Sequence, residues 1–305
     1  MTVYRHPEEI KEGFEIYDER FGTMLIDGVG LEKHFDGMEW AEGPVYVPQG
    51  DYALVSDIPN NRIMKWSDSE GVSIFRKPSG YTNGHFIDLE GRLVSCEHGG
   101  RRISRTESDG TVTNLVDNYE GKKLNSPNDI VVKSDGSIWF TDPPYGILSD
   151  REGHKGESEL GANYVFRFQP STGEMEIVCG DLDRPNGLAF SPDEKVLYIA
   201  DTGEPGNIVA YEVVQGRNLT NPREFAVVRP GVADGFRCDS DGNIFTSAWD
   251  GIQIYSPEGE LLGKILVPEQ RTANCCFGGD EGNRLYIAGD HSFYSITLNA
   301  RGVQY

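Results

Sequence analysis

Short apolar stretches separated by polar turns recur along the whole chain. The turns are rich in glycine, aspartate, asparagine and proline, as in "SPDEK", which starts at Ser191 and precedes the apolar "VLYIAD". Apolar runs of about five or six residues bounded by such turns are typical of β-strands. Few long runs have the spacing of an amphipathic helix. The pattern therefore predicts an all-β protein.

One phrase occurs six times and predicts the architecture. The copies open with "WAEGPVYV", "YTNGHFID", "SPNDIVVK", "RPNGLAFS", "VADGFRCD" and "TANCCFGG". Each places one polar residue ahead of an apolar strand, and these aligned polar residues are Glu42, Asn83, Asn128, Asn186, Asp234 and Asn274. Their spacings of 41, 45, 58, 48 and 40 residues each suit a unit of four strands. Six such units in succession predict a six-bladed β-propeller.

Two successive β-sandwiches would hold as many strands as a propeller, but they would not explain an aligned polar residue in every unit.

The last unit lacks a fourth strand of its own. The segment "GTMLIDGVGLEKHF", which starts at Gly22, has strand-like composition and belongs to no unit. Because an open sheet edge must be covered, we expect this segment to complete the last blade. The prediction is a single propeller domain over residues 1–305, with residues 1–38 supplying the closing strand.

The aligned polar residues are predicted to meet at one end of the central channel, which the first strand of each blade lines. A single Asn or Asp before a strand is a common turn residue. Glutamate is not, so turn formation does not explain Glu42. Carboxylate and carboxamide oxygens together suit a hard cation. We predict that this site binds one divalent cation, with Ca²⁺ preferred and Mg²⁺, Mn²⁺ or Zn²⁺ as alternatives. Its predicted ligands are Glu42, Asn128, Asn186 and Asp234.

Acidic residues end most of the second strands, which point back toward the same face. They are Asp57, Glu97, Asp142, Asp201 and Asp290. Because antiparallel strands alternate in direction, the ends of the second strands lie near the starts of the first strands. Asp142, in the third unit, is therefore a candidate substrate contact.

Several of these phrases together resemble the SMP-30/gluconolactonase/LRE family. The resemblance runs from about residue 35 onward and includes "WAEGPVY", "SPNDIVV", "FTDPPYG", "RPNGLAFS", "ADGFRCDSDGNIFT" and "NCCFGG". It implies a six-bladed propeller with one divalent metal at the channel mouth that hydrolyses sugar lactones. It also implies metal ligands at Glu42, Asn186 and Asp234, with Asn128 close to metal and substrate.

The substrate contacts implied by the resemblance differ between branches of the family. An arginine that contacts substrate in the animal branch is replaced here by Ser126, so those contacts do not transfer. The phrase "SCEHGGRRI" is more similar to bacterial gluconolactonases. That similarity places His98 and Arg101 at the mouth as candidate substrate contacts. The alternative for His98 is a hydrogen-bonded structural histidine.

The predicted reaction is the opening of an aldonolactone such as gluconolactone to the aldonic acid. A divalent cation would act as Lewis acid on the carbonyl oxygen, and Asp234 is the candidate base for the attacking water. Asn128 would orient the substrate or stabilise the oxyanion. Two alternatives remain: organophosphate hydrolysis at the same site, and a non-enzymatic propeller that binds a protein on its face.

Net charge and cysteine usage limit the possible binding partners and the cellular compartment. The net charge of −21 argues against nucleic acid or an anionic membrane as partner. Five cysteines without CxxC spacing favour reduced thiols. The chain opens without a signal-peptide pattern and has no apolar run of membrane-spanning length. We expect a cytoplasmic protein that binds a small-molecule sugar lactone, and the oligomeric state stays open.

The third unit is the longest because of an insert over residues 143–163, "PPYGILSDREGHKGESELGAN". By the strand directions above, it leaves the propeller on the face that bears the aligned polar residues. Its glycines and charges predict a mobile lid over the substrate, with a solvated surface loop as the alternative.

Overall fold

A computed structural model describes residues 9–303 of the chain, which form a six-bladed antiparallel β-propeller. The prediction of an all-β propeller is confirmed. Strands are numbered β1–β28 and helices α1 and α2 in chain order, and each blade is given from its channel-lining strand outward.

The first three blades follow one another directly along the chain. The first blade contains β4 Ala41–Val47, β5 Tyr52–Asp57, β6 Arg62–Ser67 and β7 Gly71–Arg76. The second contains β8 Thr82–Ile87, β9 Leu93–Glu97, β10 Arg102–Thr106 and β11 Val112–Val116. A small hairpin follows, with β12 Asn118–Tyr119 and β13 Lys122–Lys123. The third blade contains β14 Ile130–Val132, β15 Ile138–Asp142, β16 Tyr164–Gln169 and β17 Glu174–Cys179.

The last three blades complete the ring. The fourth blade contains β18 Pro185–Phe190, β19 Val196–Asp201, β20 Asn207–Val214 and β21 Asn218–Ala226. The fifth contains β22 Phe236–Cys238, β23 Ile244–Ala248, β24 Gly251–Tyr255 and β25 Leu261–Leu266. The sixth contains β26 Thr272–Gly278, β27 Arg284–Gly289 and β28 Ser292–Thr297.

The segment before the first blade is shared between the last two blades. Strand β3, Glu32–Phe35, pairs with β28, so an N-terminal strand closes the last blade as predicted. Two further strands were not predicted: β2, Phe14–Ile16, pairs with the outer strand of the fifth blade, and β1, Glu9–Lys11, pairs with β2. The N-terminal segment thus covers the edges of two blades.

A short helix between these strands is anchored in the core. Helix α1, Glu19–Met24, is capped by Asp18, whose side chain accepts a hydrogen bond from the backbone N–H of Arg20. Its Phe21 is fully buried among residues of the fifth and sixth blades. Gly263 leaves the room for this ring, because a Cβ there would lie 1.9 Å from Phe21 Cδ1. The helix therefore packs as part of the propeller.

The state of the cysteines and the small helical content agree with what the sequence predicts. All five cysteines are buried free thiols, as expected from their spacing. The second helix, α2, is a single turn at Tyr145–Leu148 within the insert. In the described range, neither helix has the length and apolar content of a membrane-spanning segment.

Candidate metal and substrate site

The channel-lining strands are irregular at the aligned polar residues. The pairing of β4 with β5 shifts register between Glu42 and Val45, and that of β18 with β19 shifts between Pro185 and Leu188. Strands β8 and β26 have equivalent shifts. A β-bulge interrupts the alternation of side chains and re-aims one of them. The bulges allow these polar side chains to face the channel axis.

Glycine follows the aligned polar residue in four blades and brings neighbouring strands together. A Cβ at any of these glycines would lie within 2.6 Å of an atom of the next aligned polar residue around the ring. The pairs are Gly43 with Asn83, Gly84 with Asn128, Gly187 with Asp234, and Gly235 with Asn274. Only a residue without a side chain permits this approach. The aligned polar residues are therefore ring neighbours.

Glu42 joins the last blade to the first. Its Oε2 accepts hydrogen bonds from the backbone N–H of Gly43 at 2.8 Å and from Asn274 Nδ2 at 3.3 Å. Burial raises the pKa of Glu42 well above its usual value, and the negative charge of Asp234 adds to this rise. Glu42 and Asp234 therefore lie close enough to repel each other when both are ionised.

Asp234 has a buried oxygen that lacks a partner. Among the described residues, no hydrogen-bond donor reaches its Oδ1. Burial raises the pKa of Asp234, and the charges of Asp129 and Glu152 raise it further. A bound cation would relieve both the repulsion and the missing contact. The site therefore fits a cation on its own geometry.

The two asparagines complete an all-oxygen donor set. Asn128 is buried and its side chain makes no hydrogen bond within the described chain, while its backbone carbonyl accepts from Gly84 N at 2.8 Å. Asn186 Nδ2 lies 3.5 Å from Thr202 Oγ1. Within residues 9–303, no three Asp, Glu, His or Cys side chains form a metal cluster. A cation site here would therefore depend on the carboxamides.

A buried ion pair near the ring was not identified from the sequence. Asp129 takes the place that glycine has after most aligned residues, and its Oδ2 lies 3.1 Å from Arg237 Nη1. Asp129 belongs to the third blade and Arg237 to the fifth, so the pair spans the channel. The signal was present as "ND" where four of the six copies have glycine after the aligned polar residue. The guanidinium offsets one negative charge beside the site.

A cavity lies at the end of the channel away from the aligned polar residues. Its volume is about 590 Å³, and its lining includes Tyr46, His85, Phe190, Arg237 and Cys276. These residues come from the far ends of the channel-lining strands. None of the aligned polar residues lines it. This cavity is therefore separate from the candidate site.

Asp142 holds the loop that leads into its own blade. Its two oxygens accept hydrogen bonds from the backbone N–H groups of Asn125 and Ser126, each at 2.8 Å. Asp57 and Asp201 hold the equivalent loops of the first and fourth blades. The substrate contact predicted for Asp142 would have to compete with these bonds.

Replacing Asp142 by alanine is expected to lower the free energy of unfolding by about 2–6 kcal/mol, because each of two buried N–H groups left without an acceptor costs about 1–3 kcal/mol. Asp142→Asn keeps one acceptor oxygen and should cost less. The urea midpoint at unchanged m-value gives the measurement. Unchanged stability with a raised KM would instead support the predicted substrate contact.

His98 connects the ring to the insert over residues 143–163. The imidazole is fully buried; Nδ1 lies 3.1 Å from the Glu152 carbonyl oxygen and Nε2 lies 3.4 Å from Asn83 Nδ2. Burial lowers the pKa of His98 to about 4. A neutral ring with its proton on Nδ1 satisfies both contacts, since Nε2 then accepts from the carboxamide. The predicted substrate contact by His98 remains a prediction.

Arg101 also binds backbone around the insert. Its Nε donates to the Leu124 carbonyl oxygen at 2.6 Å, and Nη2 lies 3.5 Å from that of Glu157. In the described chain these contacts leave part of the guanidinium uncommitted. The predicted contact with substrate is untested.

The start of the insert is pinned to the loop before Asn128. Ser126 Oγ donates to the Pro143 carbonyl oxygen at 2.6 Å and accepts from Gly146 N at 2.9 Å. Farther along, Arg151 Nε lies 3.4 Å from Glu39 Oε1, at the entry to the first blade. The insert thus extends from the third blade toward the first, and its movement as a lid stays a prediction.

Tyr145 is a site-facing residue that the sequence analysis did not single out. Its hydroxyl lies 2.5 Å from Thr202 Oγ1, which in turn neighbours the Asn186 carboxamide. Burial raises the pKa of Tyr145, and the charge of Asp234 contributes to that rise. The phenol is therefore a neutral hydrogen-bonding group at the edge of the ring.

The chain is similar in sequence and in structure to several known proteins. Residues 40–291 match the model of the SMP-30/gluconolactonase/LRE-like region. A gluconolactonase from Zymomonas mobilis subsp. mobilis is 36% identical over 94% of this chain and 86% of that protein. A pentonolactonase from Haloferax volcanii is 25% identical over 81% of this chain and 80% of its own. The structure of a gluconolactonase from Xanthomonas campestris superposes with a TM-score of 0.89 at 34% identity, covering 97% of this chain and 99% of that one.

Proposed function

The chain belongs to the SMP-30/gluconolactonase/LRE-like family, and from that premise we propose that it hydrolyses sugar lactones. The substrate class is an aldonolactone such as gluconolactone, which is opened to the aldonic acid. The observation that carries the proposal is the Asp234 carboxylate, which has an unpartnered oxygen beside Glu42 at the channel mouth. The gluconolactonase and pentonolactonase relatives support the substrate class.

The proposal includes one divalent cation, with Ca²⁺ preferred and Mg²⁺, Mn²⁺ or Zn²⁺ as alternatives. Glu42, Asn128, Asn186 and Asp234 would hold it. When bound, the cation supplies Lewis acidity toward the lactone carbonyl. Oxygen donors alone favour a hard ion, and the unpartnered Asp234 Oδ1 supports the assignment.

Two side chains of the ring, Asp234 and Asn128, act directly on the attacking water and the substrate. Asp234 accepts a proton from the attacking water through the carboxylate oxygen that does not hold the cation, and burial raises the pKa of this carboxyl group. Asn128 has a carboxamide without a side-chain partner in the described chain and can donate to the oxygen that becomes negative. Burial of the ring strengthens both interactions, because the local dielectric is low.

A panel of substrates tests the proposed function. Acid release from aldono-δ- and aldono-γ-lactones is followed with a pH indicator, above the spontaneous rate and with divalent cation supplied. A phosphotriester and an unsubstituted aliphatic lactone serve as comparisons. We expect aldonolactones to have the highest kcat/KM. Absence of lactone turnover with every cation would contradict the proposal, and faster phosphotriester cleavage would favour the organophosphate alternative.

A further inference from the structure

The ion pair of Asp129 and Arg237 lies between the ring of aligned polar residues and the cavity at the far end of the channel. Asp129 Oδ2 lies 3.1 Å from Arg237 Nη1, and Asp129 Oδ1 lies 3.3 Å from Arg237 Nη2. Arg237 lines the far cavity, whereas none of the aligned polar residues does. The pair therefore places one negative and one positive charge directly behind the ring.

The Asp129 carboxylate is fixed beside a proposed cation ligand. Asp129 follows Asn128 directly in the chain, and consecutive Cα atoms are about 3.8 Å apart. Its Oδ1 also accepts a hydrogen bond from the backbone N–H of Ile130 at 2.8 Å, and a Cβ at Gly84 would lie 2.8 Å from the same oxygen. Asp129 is 1% exposed, so water screens its charge only weakly. Because both oxygens already have partners, the carboxylate would act on a cation at the ring through its charge and not as a ligand.

The Arg237 guanidinium supplies the compensating positive charge. Arg237 lies three residues after Asp234, on the channel-lining strand β22. Its Nη1 also donates to the Phe236 carbonyl oxygen at 2.7 Å. Among the described residues, Asp129 is the carboxylate within salt-bridge distance of this guanidinium, and no other lies as close. Without Asp129, an uncompensated positive charge would therefore remain behind the proposed cation site.

Stability of the fold does not require charges at this place. Apolar residues of similar volume can often replace a buried ion pair without loss of stability, because the attraction between the charges only partly repays their desolvation. The surrounding channel already holds apolar side chains, including Val131 and Phe190. The two charges therefore point to a role in the site that they adjoin.

We propose that the Asp129–Arg237 pair sets the affinity of the cation site through its charge balance, without contacting the cation. This inference rests on the proposed function, which includes the cation. While the two charges compensate each other, the cation is attracted by Glu42 and Asp234 alone. Loss of the Asp129 charge leaves a guanidinium that repels the cation, whereas loss of the Arg237 charge leaves a carboxylate that attracts it.

The test is a calorimetric titration of metal-stripped protein with Ca²⁺, in the absence of lactone. For Asp129→Asn we expect the Kd for Ca²⁺ to rise by about tenfold or more, because an unpaired charge within roughly 10 Å of a divalent ion acts strongly in a buried site. Arg237→Gln should bind Ca²⁺ at least as tightly as the wild-type protein. The double variant Asp129→Asn/Arg237→Gln removes both charges and should return to within about threefold of the wild-type Kd. A pair that served only to brace the strands would weaken binding in each single variant and at least as much in the double variant.

A matched control separates this effect from the general cost of breaking an ion pair. Lys133 and Glu194 form a similarly buried pair, with Nζ and Oε2 2.9 Å apart and side chains 10% and 12% exposed. They follow β14 and β18, at the ends of these strands away from the mouth. Glu194→Gln should therefore leave the Kd for Ca²⁺ unchanged. The circular dichroism spectrum and the urea midpoint show whether each variant is folded.

Two results would overturn the inference: a wild-type Kd in Asp129→Asn, or a double variant that binds Ca²⁺ as weakly as Asp129→Asn. If Arg237→Gln does not fold, the comparison of Asp129→Asn with the double variant still decides, since neither leaves a buried carboxylate unpaired. Failure of the proposed function is distinct, because wild-type protein that binds Ca²⁺ but opens no lactone would contradict that function alone. Wild-type protein that binds no divalent cation would contradict both.

Discussion

Asp234→Asn is expected to lower kcat for lactone hydrolysis by about 10²–10⁴ while part of the cation binding persists. Asparagine keeps the shape and one ligand oxygen, but it cannot accept a proton at neutral pH. The backbone at this position is held independently, since Asp234 N lies 3.1 Å from Ser247 Oγ and its carbonyl oxygen accepts from Gly187 N. The variant should therefore fold, and kcat at saturating cation gives the measurement.

Two other ring variants provide the contrast. Glu42→Gln and Asn186→Ala are expected to weaken cation binding, so excess cation should partly restore their activity. Excess cation should not restore Asp234→Asn, because the missing group is the proton acceptor. A near wild-type rate for Asp234→Asn at saturating cation would place the base elsewhere, with Asp142 or His98 as the next candidates.

Deletion of residues 1–38 is expected to give insoluble or strongly destabilised protein. The deletion removes β3 from the sixth blade and β2 from the fifth, so it leaves the edges of β28 and β25 unpaired. It also removes Phe21 from the core. Exposed strand edges favour aggregation. Solubility, size-exclusion profile and Tm give the measurement.

A point substitution tests the same packing with a smaller perturbation than the deletion. Phe21→Ala should lower the free energy of unfolding by about 3–5 kcal/mol, the usual cost of removing a buried aromatic ring. Glu19→Ala, on the exposed side of α1, should change it by about 0.5 kcal/mol or less. A soluble truncation with the wild-type Tm would show that the N-terminal strands do not secure the ring.

The parts of the fold that repeat could be predicted from the sequence. Six copies of one phrase indicated six blades, and the aligned positions indicated a ring that includes Glu42 and Asp234. A repeated unit sums a weak signal over many copies, which a single strand cannot do. The closing strand followed from the missing fourth strand of the last copy.

Features that occur once could not be predicted. Strand β2 has only three residues, too few for an alternation to be recognised. The position of Asp142 near the mouth was foreseen, but its bonds to two backbone N–H groups depend on loop geometry that spacing does not encode. Glu152 lies in an insert without a counterpart in the other units, so its location depends on contacts with His98 and the first blade.

One titration tests the central proposal, that a single cation at the channel mouth supports lactone hydrolysis. Divalent cation is added stepwise to metal-stripped protein, and bound cation per chain and the rate of gluconolactone opening are measured on the same samples. We expect activity to rise in proportion to bound cation and to level off at about one ion per chain, with the Glu42→Gln curve shifted to higher cation concentration. Full activity in the stripped protein, or binding of one ion without any gain in rate, would contradict it.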